Sequence, residues 1–248
     1  MKGIAIHPGH LSVPMKRNKP AVYAVWNDFF HEAVPDTFRD EAYSTMLGIN
    51  DHRYLILTKR PGQALEYFNS RRFPEGIREH IWHGLTVCNQ QEADEKIPIF
   101  LKVPVKKFLS IEPLLGPIDI TMALEAFQPL NPDLSRKPSP VDAVILGGET
   151  GAGARPMHPD WVRTIRDQCA TAGVAFFFKG WGAWRPCDDD HVECGGHKQT
   201  AMRISGKIVT DTWKDSGLGG SDQGFWRAGA KACRLLDGRT HDDLPWRS

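Results

Sequence analysis

The chain has no apolar run near the roughly 18 residues that a membrane-spanning helix needs. It also lacks an excess of either charge. Lys and Arg number 31 against 30 Asp and Glu, leaving a net charge of +1. That balance gives no global pull toward nucleic acid or an anionic membrane, although a local basic patch remains compatible with it. Cysteine is scarce. Five residues, Cys88, Cys169, Cys187, Cys194 and Cys233, are odd in number and scattered, which fits reduced thiols better than a disulfide scaffold. Residues 1–10 hold no apolar segment of the secretory type. The expectation is therefore a soluble, cytoplasmic protein with no membrane partner. No low-complexity tract and no repeat beyond a strand–helix rhythm is present.

What is present is ordinary globular composition, 41% hydrophobic and 25% charged over 248 residues. A single α/β barrel takes about 250 residues. Short apolar runs recur, each ending in polar residues and followed by a helical stretch or a long connection. They are residues 21–26 (AVYAVW), 54–57 (YLIL), 81–87, 107–111 (KFLSI), 141–146 (VDAVIL) and 174–178 (VAFFF). Residues 3–6 are a candidate for one more strand. Helices are predicted over 36–47, 61–69, 91–101 and 159–172. The last has Trp161, Ile165 and Cys169 at four-residue spacing, Asp160 in its first turn and Gly173 at its end. Continuous apolar runs alternating with helices imply a parallel sheet covered on both faces. The predicted fold is α/β, a partial (β/α) barrel over residues 1–185. A small β or irregular extension follows over 186–248, with residues 228–236 as a candidate last helix. The Pro-rich stretch 129–140 is predicted to be a surface loop.

Ligands of parallel barrels bind at the C-terminal ends of the strands. The residues just beyond the apolar runs are Asp28, Lys59, Glu112, Glu149 and Lys179, with Asn27, Thr58, Asn89 and Ser110 beside them. Lys59, Glu112 and Lys179 are the candidate catalytic residues, since carboxylates and amines hold charged groups and move protons. Gly147, Gly148, Glu149 and Arg155, in the run GGETGAGAR, are the candidate ligand-binding residues. Glycines permit close backbone approach, and the helix that follows offers free N–H groups to an anion. The same run also suits a simple tight turn. It is neither a phosphate-binding P-loop nor a dinucleotide fingerprint. Cys187, His191, Cys194 and His197 are metal-ligand types, but their spacing fits no usual zinc template, so no metal site is assigned. His7 and His10 are weaker still. Phe176, Phe177, Phe178, Trp181 and Trp184 suit core packing better than a base-stacking surface.

Several motifs occur together and in order: Asn27-Asp28-Phe29-Phe30-His31-Glu32, Leu57-Thr58-Lys59-Arg60-Pro61, residues 110–117 (SIEPLLGP), Gly147-Gly148-Glu149, residues 154–161 (ARPMHPDW), and residues 176–179 with Trp181-Gly182. In these the chain resembles the phage and prophage "gene product 37/68" family, a domain of unknown function. The resemblance covers about residues 1–185, with a weaker match at 231–245. It implies a barrel related to radical S-adenosylmethionine enzymes, with that cofactor and a [4Fe–4S] cluster. Gly147-Gly148-Glu149 is similar to the segment that grips the cofactor's amino group in such enzymes. Typical members carry three clustered cysteines in a further N-terminal segment. Here no cysteine precedes Cys88, so the cluster is not expected on this chain, which reads as a truncated form. The resemblance leaves a nucleic acid, nucleotide or other small molecule as the partner. The alternatives are a non-catalytic binding module, a degenerate prophage remnant, or a DNA-associated structural protein.

Overall fold

The computed structural model describes residues 6–25, 27–71, 79–125, 140–187, 199–202, 205–209, 223–227 and 234–246. Six strands, β1 (Val22–Val25), β2 (Arg53–Thr58), β3 (Ile81–Thr86), β4 (Lys106–Ile111), β5 (Ala143–Gly147) and β6 (Ala175–Gly180), pair in sequential order and all in parallel. The sheet curls into a half-barrel. Helices α1 (Asp36–Gly48), α2 (Pro61–Asn69), α3 (Gln90–Phe100), α4 (Thr121–Leu124) and α5 (Pro159–Ala172) lie in the connections. The predicted partial barrel is what forms, with six strands. Residues 3–5 of the candidate extra strand lie outside the described residues, as do 228–233 of the candidate last helix and nearly all of the Pro-rich loop. Leu236 pairs in an isolated bridge with Arg239 instead of ending a helix.

Side chains alternate across each strand, so the sheet has two apolar faces. Tyr54, Ile56, Ile81, Leu85, Leu109, Ile111, Val144 and Leu146 pack under the helices in one large cluster. Leu55, Leu57, Trp82, Phe108, Ala143 and Ile145 form the second, on the concave face. Gly84 makes that concave packing possible. A β-carbon there would lie 2.3 Å from the Phe108 ring and 2.6 Å from Leu57.

A second, antiparallel sheet is built from β7 (Trp184–Pro186), β8 (Gln199–Met202), β9 (Ile208–Val209) and β10 (Gln223–Arg227), in the order β7-β10-β8-β9. Met202 and Phe225 join the helix-side core with Trp184. The chain then returns to the half-barrel. The Phe178 N–H donates to the His241 carbonyl at 2.9 Å, and Phe177 bridges Asp242, so this segment covers the outer edge of β6. Trp246 lies tilted against Trp82 and Phe108, with ring centroids 4.9 and 5.4 Å apart, and packs on the concave face.

His83 sits on the helix side of β3, wholly buried, with its Nε2 2.7 Å from the Tyr43 hydroxyl. Burial pushes its pKa down from 6.5 to about 3, and nearby Lys107 adds to the effect. The native ring stays neutral where the unfolded chain already takes up a proton. His83 therefore contributes stability in full above pH 6.5, and loses it as pH falls from there toward 3. The expected slope is about 1.4 kcal/mol per pH unit. His83→Gln should flatten the acid limb of a plot of urea-unfolding free energy against pH. Parallel limbs for the two proteins would exclude His83 as its source.

Candidate functional site

The C-terminal ends of the strands form one mouth. Strand alternation turns Ser110, Gly147 and Lys179 toward the concave side, above Leu57, Phe108 and Ile145, and Lys59, Cys88 and Glu112 lie just past the ends of β2, β3 and β4. The predicted catalytic trio thus lies at one end of the sheet, and two of its members meet. Lys179 Nζ lies 3.0 Å from Glu112 Oε1. The Ser110 hydroxyl donates to the other carboxylate oxygen at 3.3 Å. Lys59, exposed, has no side-chain partner among the described residues, while its backbone N–H donates to Asp28.

Cys88 is a residue that sequence reasoning missed; its one signal was its place just past an apolar run. It is half-buried, and its thiol approaches the Glu112 carbonyl at 3.9 Å. Burial and the Glu92 carboxylate raise its pKa, while the positive charges of Lys59, Lys96 and Arg155 act against that. The charges of Lys59, just past β2, and of Arg155, in the loop after β5, thus both act on the same thiol.

The other strand-end residues have structural partners. Asp28 accepts from the Thr58 hydroxyl at 2.6 Å and pairs with the Arg60 guanidinium, which also holds Glu32 at 2.9 Å. The Asn89 side chain caps α3 by accepting from Glu92 N–H, and the Glu92 carboxylate accepts from the N–H of Cys88, the residue before the cap. Asn27 is exposed.

The glycine-rich run is a packing device as well as a rim. Gly148 N–H donates to the Gly180 carbonyl, and a β-carbon on Gly148 would lie 2.1 Å from the Trp181 carbonyl oxygen. A β-carbon on Gly182, which sits at φ +75°, would lie 2.2 Å from the Glu149 carbonyl oxygen. Glu149 is gripped by Arg155, whose Nε and terminal nitrogen each donate to one carboxylate oxygen at 2.9 Å. That fork holds the Glu149 carboxyl below the usual range. The start of α5 is already capped, since His158 accepts from Asp160 N–H.

The aromatic run packs as predicted. Phe176 and Phe178 enter the helix-side core. Trp181 donates to the Leu235 carbonyl and Trp184 to the Ala154 carbonyl. Of the four candidate metal-ligand residues, His191, Cys194 and His197 lie outside the described residues. His7 and His10 stack on each other at 5.2 Å. The described cysteines are Cys88 at the mouth, Cys169 inside α5 and Cys187 after β7. No three share a loop, so the described residues do not fit the thiolate set of a [4Fe–4S] cluster with an open iron. No helix among them is long and apolar enough to cross a membrane.

Compared with known proteins, residues 1–245 match the model of DUF5131, described as a protein of unknown function, and the chain belongs to that family. No curated protein and no solved structure matches it.

Proposed function

We propose that the mouth of the half-barrel binds a small nucleotide-like ligand. Lys59, Glu112 and Lys179 contact it, and Gly147, Gly148, Glu149 and Arg155 form the rim. The observation that carries this reading is the gradient along the concave face. An apolar floor of Leu57, Phe108 and Ile145 ends abruptly in ionisable side chains at the ends of β2, β4 and β6. Pockets with an apolar body and a few convergent polar groups are the usual form of a small-molecule site. S-adenosylmethionine, which the phage-family resemblance implies, is the first ligand to test. As a cofactor it supplies either an alkyl group or, with a cluster, a radical. Lys59 would hold an anionic group, and Glu112 would hold or move a proton.

A non-catalytic binding module is the second reading. It is favoured by the way Arg155 already satisfies Glu149, which leaves that carboxylate little capacity for a ligand amine.

Calorimetric titration with S-adenosylmethionine, ATP and AMP tests the site. At least one is expected to bind, with Lys59→Ala weakening it about tenfold, the worth of one charge-assisted hydrogen bond. Glu149→Gln should also weaken binding, by loosening Arg155. No heat from any of the three, or an unchanged affinity in Lys59→Ala, would refute the assignment. Release of a cleaved S-adenosylmethionine product would favour an enzyme over a binding module.

A further inference from the structure

We infer that the mouth reads the zwitterionic head of an α-amino acid, free or as one end of a larger ligand, with Glu112 taking the ammonium and Lys179 the carboxylate. This rests on the mouth being the ligand site. The two residues come from β4 and β6, with β5 between them. Strands that far apart stand roughly 9–10 Å from each other. Their side chains meet only because the intervening position is Gly147. A β-carbon there would lie 2.7 Å from Glu112 Oε1 and 3.4 Å from the Lys179 β-carbon. The pair therefore spans an empty position at the top of an apolar floor.

Ser110 fixes the carboxylate through its second oxygen. Glu112 is 18% exposed and Lys179 is 56% exposed, so the pair borders solvent. With its lysine end in solvent, the pair has a modest net worth of its own. Its two charges can be exchanged for a matching pair on a ligand at small cost. A ligand end with only an anion would meet the repulsion of Glu112, and one with only a cation that of Lys179. An α-amino acid carries both charges on one carbon, within the span of the 3.0 Å contact it would replace. Lys59, across the mouth, remains for a further anionic group.

The test compares S-adenosylhomocysteine with methylthioadenosine, which keeps the nucleoside and lacks the amino-acid head. Binding is read by calorimetry and by protection of Cys88 from iodoacetamide, followed by peptide mass. Free methionine is included as a head without a nucleoside. The wild type should prefer S-adenosylhomocysteine by tenfold or more. Glu112→Gln, Lys179→Met and Gly147→Ala should each bind the two nucleosides alike. Gly147→Ala displaces the Glu112 carboxylate without removing a charge, and thermal melting confirms which variants are folded. Protection by methionine but by neither nucleoside would support the amino-acid head and remove the nucleotide reading. Equal affinity for both nucleosides in the wild type, or a preference that survives in the folded variants, would overturn the inference and leave the mouth as a nucleotide site. No binding or protection by any of the three would overturn both.

Discussion

Gly148→Ala should cost about 3 kcal/mol or more of folding stability, at the top of the range for overpacking. The added β-carbon would stand 2.1 Å from the Trp181 carbonyl oxygen and 2.5 Å from its carbon. These are backbone atoms, so no rotamer change relieves the clash. Gly148 N–H is bonded to Gly180, and Ala183 N–H to the Glu149 carbonyl, so the two loops cannot part without breaking both bonds. The urea midpoint should fall strongly, and Gly182→Ala should behave alike because it meets the Glu149 carbonyl at 2.2 Å with φ at +75°. Gly153→Ala, where nothing lies within 4 Å, is the control and should be nearly neutral. Similar midpoints for Gly148→Ala and Gly153→Ala would show that the loops are not packed backbone to backbone.

Trp246→Ala should be comparably severe. Trp246 is 7% exposed and lies against Trp82 and Phe108 in the floor of the half-barrel. Large aromatic truncations in cores cost about 3–5 kcal/mol through lost burial and the cavity left behind. Trp246→Phe keeps part of the contact and should fall between. The indole also anchors the segment that carries His241 to the edge of β6, so hydrogen exchange at Phe178 N–H should accelerate in the alanine variant. Wild-type stability and wild-type exchange in Trp246→Ala would mean that the segment is not part of the core.

Much of the half-barrel was legible along the chain. Runs such as YLIL and AVIL are apolar on both faces, as a parallel strand covered on both sides requires. The amphipathic spacing of Trp161, Ile165 and Cys169 identified α5 because a helix with one buried face repeats at that interval. The strand-end rule selected Lys59, Glu112 and Lys179, which the fold gathers at one end of the sheet, the last two in contact. The rule fails to separate them from Asp28 and Asn89. Those residues also end strands, but Arg60 and Glu92 N–H engage them. Local spacing says nothing about which neighbour a polar group finds.

The sequence by itself determined the alternation of strands and helices, the parallel sheet and the set of polar groups at its end, because these follow from periodicities of a few residues. Only the tertiary structure decided that Glu112 meets Lys179 across Gly147, that Arg155 occupies Glu149, that Cys88 faces the mouth, and that Trp246 fills the floor. Apart from the Glu149–Arg155 fork, which closes within one loop, each of those contacts joins segments whose approach depends on how six strands curl and on where the chain returns. A glycine permits both a tight turn and a close crossing. Which of the two it serves is set by the atoms that arrive opposite it.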